Sequence, residues 1–278
     1  MRVTRTLLAL SPLFAAIAPA YAVEAALPLW EAGIFGGTAV TPAYPGAGER
    51  STRTLALPYL IYRGKVLRAD RSGVGARLLD TERLDFDIGF ALSLPARSSD
   101  VPARRGMPDL GTLLEFGPRL KIKLAEPTQH SRLGLELPLR AVIEARGGLR
   151  RQGATFEPRL VYALQGDRQA WHLDASLGAV LGNGGINDYL YGVSAAFATP
   201  ERPAYAAKSG LMLTRLGLGG SYRLQRDWRV FAFLRYDNYT GAANRASPLL
   251  RQNSGTSAGI GLMWTWQRSD RQARGPDD

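Results

Sequence analysis

Hydrophobic and polar residues alternate along much of this chain with a period of two, the signature of strands whose two faces meet different surroundings. From Arg132 to Glu144 one face reads Leu133, Leu135, Leu137, Leu139, Ala141 and Ile143, and the other Arg132, Gly134, Glu136, Pro138, Arg140, Val142 and Glu144. Arg83 to Leu94 repeats the pattern, and Leu114 to Leu124 sets Phe116, Leu120 and Ile122 against Glu115, Arg119, Lys121 and Lys123. Such runs reach the ~9 to 11 residues that a tilted strand needs to cross a bilayer. The same reading predicts strands at Trp30 to Ala39, Thr52 to Tyr62, Thr155 to Leu164, Ala170 to Leu181, Leu211 to Leu224, Trp228 to Tyr239 and Ser257 to Gln267, with two shorter ones at Lys65 to Ala69 and Gly73 to Leu79. The total is about 12, and single-chain bacterial barrels take an even number.

The expected fold class is therefore all-β, a transmembrane antiparallel β-barrel with short periplasmic turns and longer external loops. Long connections are predicted at Pro95 to Leu110, Ala145 to Ala154, Gly182 to Gly210 and Thr240 to Thr256, alternating with short ones at Ala125 to Ser131, Gln165 to Gln169 and Gln225 to Asp227. In such a barrel the apolar face meets lipid and the charged face lines the lumen. That assigns Glu115, Arg119, Lys121, Arg132, Glu136, Arg140, Glu144, Arg159, Asp174 and Arg235 to the lumen, together with Lys123, Glu157, Arg215 and Asp237. Charges in a narrow tube must pair or stay hydrated; pairing would plug the barrel and hydration would make it a pore.

The chain ends refine this picture. Arg2 and Arg5 followed by a short apolar stretch and Ala20-Tyr21-Ala22 read as a cleavable export signal, with cleavage after Ala22. The expected division is a signal over 1–22, a barrel over 23–267 and a polar tail over 268–278. Zero cysteines exclude a disulfide scaffold and thiolate metal sites. The net charge of +11 comes without any nucleic-acid recognition motif, so no nucleic-acid partner is expected. In an exported barrel the nearer polyanion is the anionic cell wall or the lipid A phosphate of lipopolysaccharide in the outer membrane. Arg104, Arg105, Arg150 and Arg151 are placed in external loops, either facing its phosphates or simply solvated.

The last strand would turn Ala258, Ile260, Leu262, Trp264 and Trp266 toward lipid, and Trp30, Tyr62, Trp171, Trp228 and Tyr239 join those tryptophans as an expected interfacial girdle. Tyr44-Pro45-Gly46, Leu57-Pro58-Tyr59, Tyr191-Gly192-Val193, the run Pro203 to Gly210, Trp228 and Ser247-Pro248-Leu249, in that order and spacing, resemble the MipA/OmpV family, the MltA-interacting proteins. The resemblance runs from about Trp30 to Gln267. It implies an outer-membrane barrel with no catalytic residues; the family's name-giving member is a scaffold linking a lytic transglycosylase to a murein synthase, other members are porin-like, adhesive or stress-related, and the scaffold role, with no cofactor, is the leading expectation here.

His172, Asp174 and Ser176 share one face of a strand, but neighbours two apart lie ~6.6 Å apart along it, long for a nucleophile–base hydrogen bond. His130 has no ligand-spaced partner, and Gly182-Asn183-Gly184-Gly185 is not followed by the Lys-Ser or Lys-Thr of a phosphate loop, so it reads as a loop start. No enzyme activity is expected. Beside the scaffold stands a narrow porin-like channel for small, preferentially anionic solutes.

Overall fold

In the computed structural model residues 28–63, 67–70, 73–167 and 170–272 are described. The leader with Ala22, and the tail beyond Gln272, lie outside them. The strands are β1 (Trp30–Pro42), β2 (Arg50–Arg63), β3 (Leu67–Asp70), β4 (Gly73–Asp80), β5 (Leu84–Ser93), β6 (Thr112–Thr128), β7 (Ser131–Ala145), β8 (Leu149–Phe156), β9 (Arg159–Gln165), β10 (Trp171–Gly182), β11 (Gly210–Arg223), β12 (Trp228–Asn238) and β13 (Ser254–Arg268). They are antiparallel neighbours in chain order, and the first and last strands pair from Glu31↔Arg268 to Val40↔Ala258, so the sheet closes on itself.

β8 and β9 occupy a single position in the ring. β7 pairs with both, through Leu139↔Phe156 and Glu136↔Arg159, and so does β10, through Leu181↔Phe156 and Gly178↔Arg159. Pro158, which has no amide to donate, interrupts the strand there, while its carbonyl still accepts from Ala179 N at 3.1 Å. The thirteen segments thus make a ring of twelve, even as a bacterial barrel requires, and both short strands expected before Arg83 are present.

Two faces follow from the pleat. On β13, Ile260 is 58% exposed and points outward with Leu262, Trp264 and Trp266, while Ser257 and Thr265, each 6% exposed, point inward. Trp228 stacks on Trp264 at 5.8 Å, and Trp30 and Trp171 pair with Tyr62 and Tyr222. These aromatics collect at the end that holds the chain termini. Tyr239 does not join them; it is fully buried at the opposite end, because it follows the end of β12 and turns inward.

The termini end carries the short turns, including Gln129–His130 between β6 and β7 and Leu224–Asp227 between β11 and β12, and is therefore periplasmic. Ser269 N donates to Trp30 O and Leu29 N to Arg271 O, so residues just past β13 continue the pairing with the start of the barrel. Long connections 94–111, 183–209 and 239–253 lie at the other end. The long loop expected over Ala145 to Ala154 is instead a tight turn, Arg146–Gly148, with Gly147 and Gly148 at positive φ. Arg150, Arg151 and Gln152 belong to β8; their polarity reflects the strand's environment at the rim rather than a loop.

The buried apolar core is not at mid-barrel. Leu113 of β6, Val142 of β7 and Met212 and Leu213 of β11 join Tyr44, Val101, Leu110, Ile186, Tyr191, Val193, Tyr239 and Leu249 in one cluster at the external end. Its members come from positions all around the ring, so the loops form a cap across the external mouth. A short helix, α1 (Gly184–Tyr191), opens the longest loop. Asn183 caps it by accepting from Ile186 N, so the glycine-rich run is a helix start.

α1 is seated against a bulge at Gly153, whose φ of +143° and lack of a side chain both matter. A Cβ there would collide with Asn183 Oδ1 and the Ile186 amide. Gly153→Val is expected to cost on the order of 1–3 kcal/mol in backbone strain alone. The barrel should still show heat-modifiable gel migration, but protease should cut the 183–209 loop faster than in the parent chain; an unchanged cleavage rate would count against α1 being held there.

Candidate functional site

The inner wall from β5 to β12 is built of paired charges. Arg119 donates a two-pronged bond to Asp87, Nε to Oδ1 at 2.8 Å and Nη2 to Oδ2 at 2.7 Å, and Lys121 Nζ lies 2.9 Å from the same carboxylate. Arg159 Nη2 reaches Glu136 at 2.6 Å. A longer chain of alternating sign runs Glu115, Arg140, Glu157, Arg215, Asp237, with separations of 3.9, 3.0, 3.2 and 2.7 Å. Gly178 of β10 lets the backbone approach closely beside this chain: a Cβ there would meet the Pro158 carbonyl and the Arg159 Cβ, each at 2.6 Å.

The remaining lumen candidates divide by height. Arg132 sits at the periplasmic end, its side chain 67% exposed, 3.9 Å from Glu126. Glu144 is buried in the cap, where it accepts from Tyr189 Oη at 2.9 Å, Gly111 N at 3.1 Å and Gln152 Nε2 at 2.7 Å. Asp174 lies 3.5 Å from His172 Nε2. Arg235 has its guanidinium 5.9 Å from the centre of the Phe233 ring. Among the described residues no hydrogen bond joins Ser176 to His172, so the strand's spacing keeps these groups from forming a nucleophile–base pair. No group of three or more His, Asp or Glu among the described residues has the geometry to hold a metal ion.

The cap gathers sequence elements that lie far apart in the chain. Tyr44 Oη donates to Leu249 O at 2.6 Å, and Ser247 Oγ to Tyr191 O at 2.7 Å. Asn244 Nδ2 donates to Asn187 Oδ1 at 2.9 Å and Lys208 O at 2.8 Å, while Asn244 Oδ1 accepts from Lys208 N and Tyr205 Oη. Burial pushes the Tyr44 phenol up to about 12, so it remains a donor across the physiological range. Tyr189 is likewise raised, by burial and then by Glu144. Arg104 is not a solvated loop charge: it is 4% exposed, donates to Leu190 O at 3.2 Å and lies 5.7 Å from the centre of the Tyr44 ring. Burial lowers its pKa. Arg202 braces the neighbouring loop from outside, donating to Ala103 O, Arg105 O and Phe197 O.

One inner face lay outside the sequence reading. In β1 and β2, Phe35 is opposite Leu57 and Gly37 opposite Leu55, and in β12 and β13 Phe231 is opposite Gly261 and Phe233 opposite Gly259. Glu31 and Asp237 fix these sets as inward, so this side of the lumen is apolar and aromatic, facing the charged wall. The signal was available: on β12, Phe231 and Phe233 share parity with Arg235 and Asp237. An aromatic ring, unlike a charge, is compatible with either face of a membrane strand, so its type alone does not mark it as lumenal.

The chain matches the family described as MltA-interacting protein MipA over residues 34–266. Similar solved structures include outer membrane phospholipase A from Escherichia coli, at 12% identity, 87% coverage of this chain, 94% of that one and a TM-score of 0.36. They also include a bacterial polysaccharide outer membrane secretin (11% identity, 86% and 99% coverage, TM-score 0.39) and the Pseudomonas putida toluene transporter TodX (10%, 85% and 88%, 0.34). No curated protein matches the chain significantly.

Because Arg215 is the ion-pair partner of the mostly buried Asp237 among the described residues, while Glu157 keeps Arg140 at 3.0 Å, Arg215→Ala leaves the Asp237 carboxylate uncompensated. The expected loss is about 3–5 kcal/mol, read as a lower urea midpoint of the folded barrel in lipid vesicles. Arg132→Ala, at an exposed pair, should change that midpoint by no more than about 1 kcal/mol.

Proposed function

Because the chain belongs to the MltA-interacting protein MipA family, we propose that this outer-membrane barrel is a scaffold that docks murein-remodelling enzymes, a lytic transglycosylase and a murein synthase, on its periplasmic side. The family match carries this reading. Two features of the fold support it: a cap across the external mouth, and an inner wall whose charges are largely spent on one another. Neither is what a wide diffusion pore requires. The scaffold performs no reaction and needs no cofactor, and the mature protein begins near Val23 after export.

The partner surface belongs to the short turns, since the partners are periplasmic. Two of them are tied together there by His130 Nε2 and Asp167 Oδ1 at 2.7 Å, and Arg268 Nη2 donates to Arg226 O at 2.6 Å across the end of β13. Such fixed turns offer a preorganised face, which limits the ordering cost of docking.

One observation favours a second reading, a narrow channel for small anions. Among the described residues Arg235 has no carboxylate within ion-pair distance and faces the lumen beside Phe233. Affinity capture of envelope proteins on the vesicle-reconstituted barrel, against an unrelated barrel, separates the two. The scaffold reading expects recovery of a murein hydrolase or synthase, reduced at least several-fold by charge reversal at Arg226 (R226E). Recovery of neither, together with anion-selective conductance that Arg235→Ala abolishes, would replace it with the channel.

A further inference from the structure

The apolar side of the lumen encloses space. A cavity of about 460 Å³ is lined by the apolar side chains of Phe35, Leu55, Phe231 and Phe233 and by the polar ones of Arg53, His172 and Asp174. That volume falls within the range of small-molecule sites, which are apolar pockets with a few placed polar groups. Part of the aromatic surface has a structural job. Phe35 lies over Gly261 and Phe233 over Gly259, each close enough that a Cβ would stand 2.5 Å from the ring, so the rings shield backbone that glycine leaves bare. Covering glycines accounts for two rings against the wall. It does not account for Leu55 at 41% exposure inside the lumen, nor for the void in front of them.

The polar side is distinctive too. On the charged wall Asp87, Glu136, Glu157 and Asp237 each have an arginine at 3.2 Å or less, whereas the only ion-pair partner of Asp174 among the described residues is His172, at 3.5 Å. Arg53 also lines the cavity, but its guanidinium donates to the Pro95 carbonyl at 2.6 Å and forms no ion pair with Asp174 among the described residues, so Asp174 presents a carboxylate without an arginine partner to a cavity walled in part by aromatic rings. Ring faces and a carboxylate together favour a cation attached to an apolar body.

We propose that this cavity is a binding site for small amphipathic ammonium compounds, with an aromatic or branched alkyl body against Phe231, Phe233 and Leu55 and the ammonium group donating to Asp174. The site is independent of the periplasmic docking surface. It gives the barrel a ligand as well as a partner.

Equilibrium dialysis of 2-phenylethylammonium against the barrel in lipid nanodiscs, with empty nanodiscs as the blank, tests this. Saturable binding is expected, at least tenfold tighter than that of 3-phenylpropionate, which has the same ring and the opposite charge. Asp174→Asn should weaken the ammonium compound at least tenfold while leaving neutral benzyl alcohol unchanged. Leu55→Trp, which fills the cavity, should abolish binding of both in a barrel still heat-modifiable on gels. No saturable binding above the blank, preference for the anion, or binding that survives Leu55→Trp would each overturn the proposal.

Discussion

Every other feature of this protein depends on the pairing of β1 with β13. In hydrocarbon an unpaired backbone amide or carbonyl costs several kcal/mol, so a sheet can cross a bilayer only if it has no edge. The first and last strands meet over Glu31 to Val40, and the residues just past β13 extend the seam to Leu29. Closure then dictates the rest. Residues of one parity must tolerate lipid, and residues of the other are confined with one another in a tube where most charges are paired across neighbouring strands. The ion-paired wall is the consequence for polar residues, and the cavity beside it is the consequence where the inward set is apolar.

Much of this was legible in the chain, for a physical reason. Alternation over a bilayer's thickness has few explanations, so Arg132 to Glu144 and Arg83 to Leu94 announced both the strand and its facing. Parity alone puts the charges from Glu115 to Asp237 on one face of their strands, and it is silent on their height: Arg132 sits at the periplasmic end and Glu144 in the cap. What parity cannot convey is partnership across the lumen: that Arg215 passes Gly178 to reach Glu157 depends on register between strands, which no local pattern encodes. The segment Ala145 to Ala154 failed for a related reason. Its polar residues look like a loop until the turn at Gly147–Gly148 and the bulge at Gly153 show them to be strand.

The family-like motifs had a different fate from the one their names suggest. Tyr44, Tyr191, Val193, Tyr205, Ser247 and Leu249 are short signatures scattered over two hundred positions, and they converge in the cap. Their spacing is that of interlocking loops, in which side chains satisfy the carbonyls that an irregular backbone leaves without partners. They specify how the external mouth is closed.

The cap also orders events in time. Tyr44 and Leu249 are 205 positions apart, contributed by the first and last external loops. Neither can reach the other until both hairpins have carried their loops through the bilayer and the ring has shut. Contacts this distant in sequence are among the slowest to form. The closed mouth is therefore the final step of assembly, and a barrel stalled with any hairpin uninserted would expose the apolar undersides of its loops at the cell surface.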